Sequence, residues 1–194
     1  MTLPGTTPVP TLRSAHAVQS MGRGRLLCAS VVGATMLASC SPSLDWREVR
    51  VTDGQVKALF PCRPESRVRQ VLLAGVKLEM HLESCTAAGA NYALSHVNVG
   101  DATHVEPALR QLQSLFASNI GGTPGVAGSF NVPGTTPTPL ASRVTATGSR
   151  EDGSVIAAEA VFFARGAVIY QATTLGARIG GEATDTFFAG LSAL

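Results

Sequence analysis

The feature that most constrains the fold is a strict alternation of apolar and polar residues over positions 76–83. Its apolar members are Val76, Leu78, Met80 and Leu82, and its polar members are Lys77, Glu79, His81 and Glu83. Successive side chains of a strand point to opposite faces, so this period of two predicts a β-strand with one face on a core. The segment therefore requires a sheet, and the rest of the chain has to supply its neighbours.

Further strand-like segments lie on both sides of this one. They are residues 46–51, 67–73, 92–99, 143–148, 154–164 and 167–175. Several are separated by turn pairs such as Ala74-Gly75 and Asp152-Gly153, which favour tight hairpin connections. Residues 56–60 lead into Pro61 and Pro64, where proline removes the amide hydrogens that a strand ladder needs.

Two segments have helical patterns. Val105, Leu109, Leu112, Leu115 and Phe116 recur at helical spacing, with Pro107 in a first turn. They predict an amphipathic helix over 103–119. A second helix is predicted over 182–194, and the Gly, Pro and Thr-rich interval 121–139 is predicted as a flexible loop.

The order of these segments predicts one α+β domain over residues 45–194. Strands, a helix, more strands and a final helix fit an antiparallel sheet of about six to seven strands with two helices packed on one side. The length of 194 residues suits one domain with a substantial core better than two.

Residues 21–40 have the three parts of an export signal. Arg23 and Arg25 supply a positive start, residues 26–36 are apolar, and Leu37, Ala38 and Ser39 precede Cys40. The stretch resembles the bacterial lipobox, and that resemblance implies a diacylglycerol thioether on Cys40 after cleavage. The alternative is an uncleaved apolar anchor with an incidental cysteine.

The export signal divides the start of the chain into three parts. Residues 21–39 are predicted to be a lipoprotein signal peptide, and residues 40–44 a short lipidated tether. Residues 1–20 would then be an upstream extension outside the fold, with translation starting at Met21. Cys28 is interpreted as part of the apolar run, because the charged Arg25 precedes it by three residues.

The same signal predicts a cellular location and a partner. The lipidated chain is expected in the cell envelope, facing the periplasm and bound to membrane lipid through Cys40. Ser41 in place of Asp implies, by the same resemblance, the outer membrane rather than the inner one. An envelope protein of unknown identity is a further candidate partner.

The charge balance argues against a nucleic-acid partner. Three of the 15 basic residues precede Cys40 and no acidic residue does, so 12 basic and 13 acidic residues remain from Cys40 onward. A nucleic-acid-binding surface needs a basic stripe, and this balance leaves no excess for one.

Cys62 and Cys85 form an even pair in an oxidising compartment and predict a disulfide. The closed loop of about 24 residues would contribute on the order of 3 kcal/mol to stability. An alternative is a metal site made of Cys62, His81, Cys85 and His96, but the spacing matches no common zinc pattern. No metal and no cofactor is therefore predicted.

The sequence carries no catalytic signature. There is no G-x-S-x-G motif, and Ser129, the candidate nucleophile of a hydrolase, has no histidine near it in the sequence. Gly122, Gly125 and Gly128 lack the Gly-Lys-Ser/Thr ending of a phosphate-binding loop, so they are interpreted as plain loop glycines.

Several remaining polar residues have simpler explanations than catalysis. His81, His96 and His104 are scattered and are interpreted as surface residues. Glu79 and Glu83 lie on the polar face of the strand over 76–82. For Trp46 and Tyr92, core packing is favoured over a partner surface.

Three segments carry a resemblance to a known group. They are residues 58–65 (ALFPCRPE), 164–171 (ARGAVIYQ) and 185–191 (DTFFAGL). They resemble small bacterial envelope proteins of the PsbP-like and DcrB-like fold group. Members of that group include accessory subunits and many uncharacterised lipoproteins, so the resemblance implies an interaction role more than a reaction. The matching positions are core and turn positions, so no functional residue is transferred.

Together these observations predict a non-catalytic, lipid-anchored accessory or binding module. Two alternatives remain open. One is a small-ligand carrier with a cleft between the sheet and the helix over 103–119, and the other is an envelope hydrolase using Ser129.

Overall fold

Ten strands and two α-helices follow one another along the residues that the computed structural model describes, 44–52 and 55–194 without the side chain of Val126. The strands are β1 (Arg47–Val51), β2 (Val56–Phe60), β3 (Glu65–Leu73), β4 (Val76–Ala87), β5 (Ala90–Asn98), β6 (Thr123–Ser129), β7 (Ser142–Ser149), β8 (Val155–Arg165), β9 (Val168–Gly176) and β10 (Ser192–Ala193). The helices are α1 (Val105–Ser118), preceded by a 3-10 turn (Ala102–His104), and α2 (Glu182–Ala189).

The α+β class is therefore confirmed, with more strands than the predicted six to seven. The predicted extension 1–20, signal peptide 21–39 and lipidation site Cys40 lie outside the described residues. No helix of the described part is both long enough and apolar enough to cross a bilayer.

Seven strands form one antiparallel sheet in the order β3-β4-β5-β9-β8-β7-β6. A second, three-stranded sheet has the order β1-β2-β10. The alternation over 76–83 lies in β4, where Met80 pairs with Val97 of β5 and His81 pairs with His96. These two neighbouring rows point to opposite faces of the large sheet, as the pleat requires.

The two helices pack on opposite faces of the large sheet, so the prediction that both lie on one side is wrong. Leu109 and Phe116 of α1 are buried with Phe162 of β8 on one face. Phe187 of α2 is buried with Phe163 of β8 on the other. We call these the helix face and the closed face, and the closed face is also covered by the three-stranded sheet.

The reason lies in β8, whose residues from Ala158 to Ala164 are all buried. Side chains alternate between the faces of a strand, so consecutive burial requires cover on both sides. The apolar run over 160–164 is the sequence signal for this cover, since a strand with one wet face would alternate.

The closed face is filled by aromatic side chains. Phe163 and Tyr170 stack with ring centroids 4.8 Å apart, and Phe187 meets Phe60 and Tyr92 at 5.3 and 5.4 Å. These residues include members of all three segments that carry the family resemblance. Those segments therefore converge on one core.

An ionic group ties α2 to the sheet on the closed face. The Arg143 guanidinium donates to the carboxylates of Glu159 and Asp185, the latter at 2.7 Å, and lies 5.0 Å from the centre of the Phe188 ring. The hydrogen bond to Glu159 raises the pKa of Arg143. One cation thus joins β7, β8 and α2.

The final helix is shorter than predicted. It ends at Ala189, with Gly190 as its C-cap, instead of continuing to residue 194. Ser192 and Ala193 pair with β2, and the Leu194 amide donates to the Gln55 carbonyl oxygen at 2.9 Å. A two-residue strand has no period, so no pattern in the sequence indicates β10.

The interval 121–139, predicted as a flexible loop, contains the edge strand β6, so the prediction is wrong for residues 123–129. A side chain at Gly122 would clash with the Thr147 carbonyl oxygen, and one at Gly125 would clash with the Thr145 hydroxyl. These glycines thus let β6 approach β7 closely, which an interpretation of glycine as a loop residue misses.

The predicted disulfide between Cys62 and Cys85 is confirmed, with their Cα atoms 6.0 Å apart. It joins the exit of β2 to β4 and so fastens the three-stranded sheet to the large one. Because both sulfur atoms are in this bond, they are not available as thiolate ligands for the alternative metal site.

Candidate functional site

A cleft opens between α1 and the helix face of the large sheet. A seven-stranded sheet with about 4.8 Å between strands is roughly 29 Å across, whereas one helix is about 10 Å wide. Helix α1 packs mainly over β8 and β9 and reaches β3 at the hairpin, so it leaves the rest of the β3–β4 side of the face uncovered. The resulting space has a volume of ≈ 530 Å³.

The lining of this cleft is mainly apolar, with a few polar groups. It consists of Arg69, Met80, Leu82, Ala93, Ser95, Leu112, Phe116, Asn119, Ile120, Ala158, Gln171, Thr173 and Leu175. Clefts of this size and composition are typical of sites for small ligands. The alternative of a ligand-carrying cleft beside the predicted helix requires such a space.

The floor of the cleft carries a row of hydrogen-bonding groups. The Ser95 hydroxyl donates to the Gln171 carbonyl oxygen at 3.3 Å, and the Gln171 amide donates to the Thr173 hydroxyl oxygen at 3.1 Å. Ser95 is 7% exposed. Because these polar groups satisfy one another, the floor can face an apolar ligand without leaving them unpaired.

Arg69 supplies a positive charge at the rim of the cleft. Its guanidinium contacts the Met80 sulfur at 3.6 Å, and among the described residues no carboxylate lies within 4.0 Å of it. Arg67, two residues earlier, is instead paired with Glu65 at 3.2 Å. Arg69 is therefore the charge that remains available to a ligand in the cleft.

Gln111 of α1 holds the β3–β4 hairpin against the helix. Its side-chain oxygen accepts from the Ala74 amide at 2.7 Å, and its side-chain nitrogen donates to the Leu72 carbonyl oxygen at 3.2 Å. Ala74 lies in a tight turn with φ of 48°, followed by Gly75 at 79°. The clamp fixes the distance between helix and hairpin, which form two walls of the cleft.

A second, polar cleft of ≈ 560 Å³ lies at the edge of the closed face, against Arg50, Glu79, His81, Glu83 and His96. The rings of His81 and His96 stack with centroids 5.0 Å apart. Glu83 accepts hydrogen bonds from the Ser66 hydroxyl, and Glu79 accepts one from the Gln70 amide at 3.0 Å.

These contacts fit a polar strand face whose carboxylates are hydrogen-bonded to the neighbouring strand. Within residues 44–52 and 55–194, no group of three or more His, Cys, Asp or Glu side chains is arranged to hold a metal ion. His104, the third described histidine, is exposed in the 3-10 turn and does not join this cleft.

The structure gives no support to Ser129 as a nucleophile. Ser129 lies exposed in β6, and three strands separate it from His96 in β5. Four strand spacings of about 4.8 Å put the two strands roughly 19 Å apart. That is far beyond the hydrogen-bond reach that a nucleophile and its base require.

Tyr92 packs in the core rather than on a partner surface. It is 2% exposed, and burial raises the pKa of its phenol above the usual value of 10.0. Trp46 is half-buried and packs against the same core. The preference for core packing is confirmed for both aromatic residues.

The sequence placed the cleft beside the correct helix but missed the residues that form it. Arg69 and Gln171 each lie on a strand face next to an apolar residue, Val71 and Ile169 respectively, and these neighbours were the available signal. Cys40, Leu37, Ala38 and Ser39 lie outside the described residues and stay predictions.

The fold and the cleft define a class: an α+β protein with an antiparallel sheet covered on both faces and a cleft under one helix. No protein-family model and no curated protein matches the sequence. One similar solved structure is a crystal structure from Bacteroides thetaiotaomicron VPI-5482, with 12% identity and a TM-score of 0.41. The match covers 76% of this chain and 48% of that one, so the chain spans about half of its length.

Proposed function

We propose that this chain is a lipid-anchored, periplasm-facing binding module of the bacterial cell envelope, and that it is not an enzyme. The anchoring part of the proposal rests on the export signal that ends at Cys40. The observation that supports binding is the cleft between α1 and the sheet, with its apolar walls and the single cation Arg69.

The cleft favours a carrier of small ligands over an envelope hydrolase. Its described residues include no pairing of a nucleophile with a base, and Ser129 is remote from the histidines of the sheet. A non-catalytic role is therefore the simplest use of the site. The outer membrane remains the favoured location because Ser41 follows Cys40.

An accessory role with a protein partner is the second candidate. It is supported by the free edge of the large sheet at β3, where Val68 and Leu72 are 56% and 60% exposed. An unpaired strand with exposed apolar side chains can accept a further strand from a partner. Membership of the PsbP-like and DcrB-like group is part of the same proposal.

Mass spectrometry of the full chain produced in a lipoprotein-processing bacterium tests the anchor. The expected product begins at Cys40, carries a diacylglycerol mass and partitions into membranes. Cys40→Ser is expected to prevent acylation, while the matched change Cys28→Ser leaves it intact. An unprocessed chain without fatty acid would show that the proposed lipid anchor and envelope location are wrong.

Crosslinking in intact cells followed by affinity purification tests the second candidate. A protein that copurifies in a fixed ratio, and is lost when Val68→Lys and Leu72→Lys block the β3 edge, is expected for an accessory subunit. Recovery of the chain alone would contradict that role and leave the carrier function.

A further inference from the structure

The cleft under α1 runs towards the end of the sheet where the chain enters the domain. Residues that are paired across neighbouring strands form rows on the helix face. The lining residues of the cleft lie in successive rows, from Met80 through Ser95 and Ala93 to Leu175. Three steps of two residues along a strand cover about 20 Å. The cleft is thus an elongated groove that crosses the helix face obliquely, from β3 and β4 to β9 and β8.

The entry of the chain lies at the same end of the sheet as the last rows of this groove, on the opposite face. The Asp45 amide donates to the Pro61 carbonyl oxygen at 2.8 Å, and the next residue, Cys62, is bonded to Cys85. Cys85 is adjacent to Ser84, whose strand partner Ala93 lines the cleft. The first described residues and the end of the groove therefore share one end of the sheet.

The tether makes that end the one closest to the membrane. Five Cα–Cα steps separate Cys40 from Asp45 and span at most about 18 Å. If Cys40 carries the lipid, as the proposed function requires, this short tether keeps that end of the sheet near the headgroups. A groove lined by Leu82, Leu112 and Phe116 then has one end at the membrane-facing end of the sheet.

The opposite end of the groove carries Arg69. Its guanidinium lies at the rim beside Met80 and has no carboxylate partner among the described residues. A guanidinium forms bidentate hydrogen bonds with carboxylates. An apolar groove that ends at an unpaired cation is complementary to a molecule with an anionic head and one apolar chain.

We propose that the cleft binds a single-chain anionic amphiphile drawn from the membrane, a long-chain carboxylate. The carboxylate pairs with Arg69, and the chain lies along the groove between α1 and strands β4, β5 and β9. This inference rests on the proposed function, and it adds the chemical class of the ligand and its orientation. Gln111 keeps the groove open by fixing the hairpin against α1.

Photocrosslinking in membranes tests this proposal. Membranes from cells that produce the full chain are incubated with hexadecanoate bearing a diazirine in mid-chain and then irradiated. Crosslinks are expected in peptides of α1, β4, β5 and β9, and excess unlabelled hexadecanoate is expected to compete. Hexadecanol and hexadecylamine of the same chain length are expected to compete at least about tenfold less well, because they lack the anion.

Variants of two neighbouring arginines provide the matched control. Arg69→Gln is expected to lower the crosslinking yield about tenfold, whereas Arg69→Lys retains most of it. Arg67→Gln lies on the same face of β3 but outside the cleft, so the yield is expected to stay within twofold. Ala93→Phe fills the groove and is expected to abolish crosslinking by every probe.

The outcomes separate this inference from the proposed function. Equal competition by hexadecanol, or no effect of Arg69→Gln, would show that the anion is not recognised. Absence of crosslinks in a sample whose Cys40 is acylated would overturn the amphiphile site and leave the anchor standing. A change of oligomeric state in Ala93→Phe would show that a second copy occupies the groove, which would also overturn the proposal.

Discussion

The two faces of the large sheet are covered in different ways. The closed face is filled by stacked aromatic rings, a small sheet, a disulfide and the Arg143 ionic group. The helix face carries one helix and an open cleft. The difference separates a closely packed face from one that leaves apolar surface uncovered.

The largest expected effect is the loss of an aromatic ring from the closed face. Phe163→Ala removes a fully buried ring that stacks on Tyr170, so the free energy of unfolding should fall by about 4 kcal/mol. Leu82→Ala, in the wall of the cleft, should cost only about 1 kcal/mol because the site already faces open space. Urea unfolding measures both, and equal losses would contradict the division between the faces.

Removal of the disulfide should come next. The double variant Cys62→Ala/Cys85→Ala is expected to lower the free energy of unfolding by about 3 kcal/mol, because the unfolded chain gains freedom. Hydrogen exchange should accelerate in β1 and β2, which the bond fastens, and change little in α1. Faster exchange confined to α1 would mean that the bond supports the cleft instead.

Alkaline pH should weaken the closed face through its two tyrosines. Burial raises the pKa of Tyr92 and of Tyr170 above 10.0, so both remain neutral in the folded state when the unfolded chain ionises. Their contribution is complete below pH 10 and is lost as the pH rises through the folded-state pKa values. Stability should therefore fall as the pH rises from about 10 towards the folded-state pKa values.

These are the two tyrosines of the chain, so one double variant tests the cause. Tyr92→Phe/Tyr170→Phe should remove most of the slope of stability against pH over this range. A slope that persists unchanged in the double variant would assign it to other groups.

The smallest expected effect concerns the clamp of the helix face. Gln111→Ala leaves the Ala74 amide without its acceptor and should cost about 1 kcal/mol. Exchange of amides in the β3–β4 hairpin should accelerate. Ser114→Ala, one turn further along α1 with its hydroxyl bonded only within the helix, is the matched control and should leave the hairpin unchanged.

The sequence predicted the elements better than their arrangement. The alternation in β4 was sufficient to predict a strand, and the spacing of Leu109 and Phe116 was sufficient to predict a helix, because each pattern depends on local geometry. Which face a helix covers depends on contacts between distant segments. Only the apolar run of β8 carries that information, and the same run also fits an ordinary hairpin strand.

The candidate site was predictable only in outline. A helix beside a wide sheet implies uncovered surface, so a cleft could be anticipated from the element order. Arg67 and Arg69 lie on the same face of β3, and the pairing of Glu65 with Arg67 rather than with Arg69 becomes visible only in three dimensions. Likewise, the glycines in a polar stretch gave no indication that β6 forms the edge strand of the sheet.

The irregular edge strand β6 has a consequence for assembly. Pro124 lacks an amide hydrogen, and the register shifts between Pro124 and Ala127, so this border of the sheet is a poor template for another chain. Of the two borders of the large sheet, the β3 border has the regular register. Edge-to-edge pairing of copies through the large sheet is therefore expected at β3 rather than at β6.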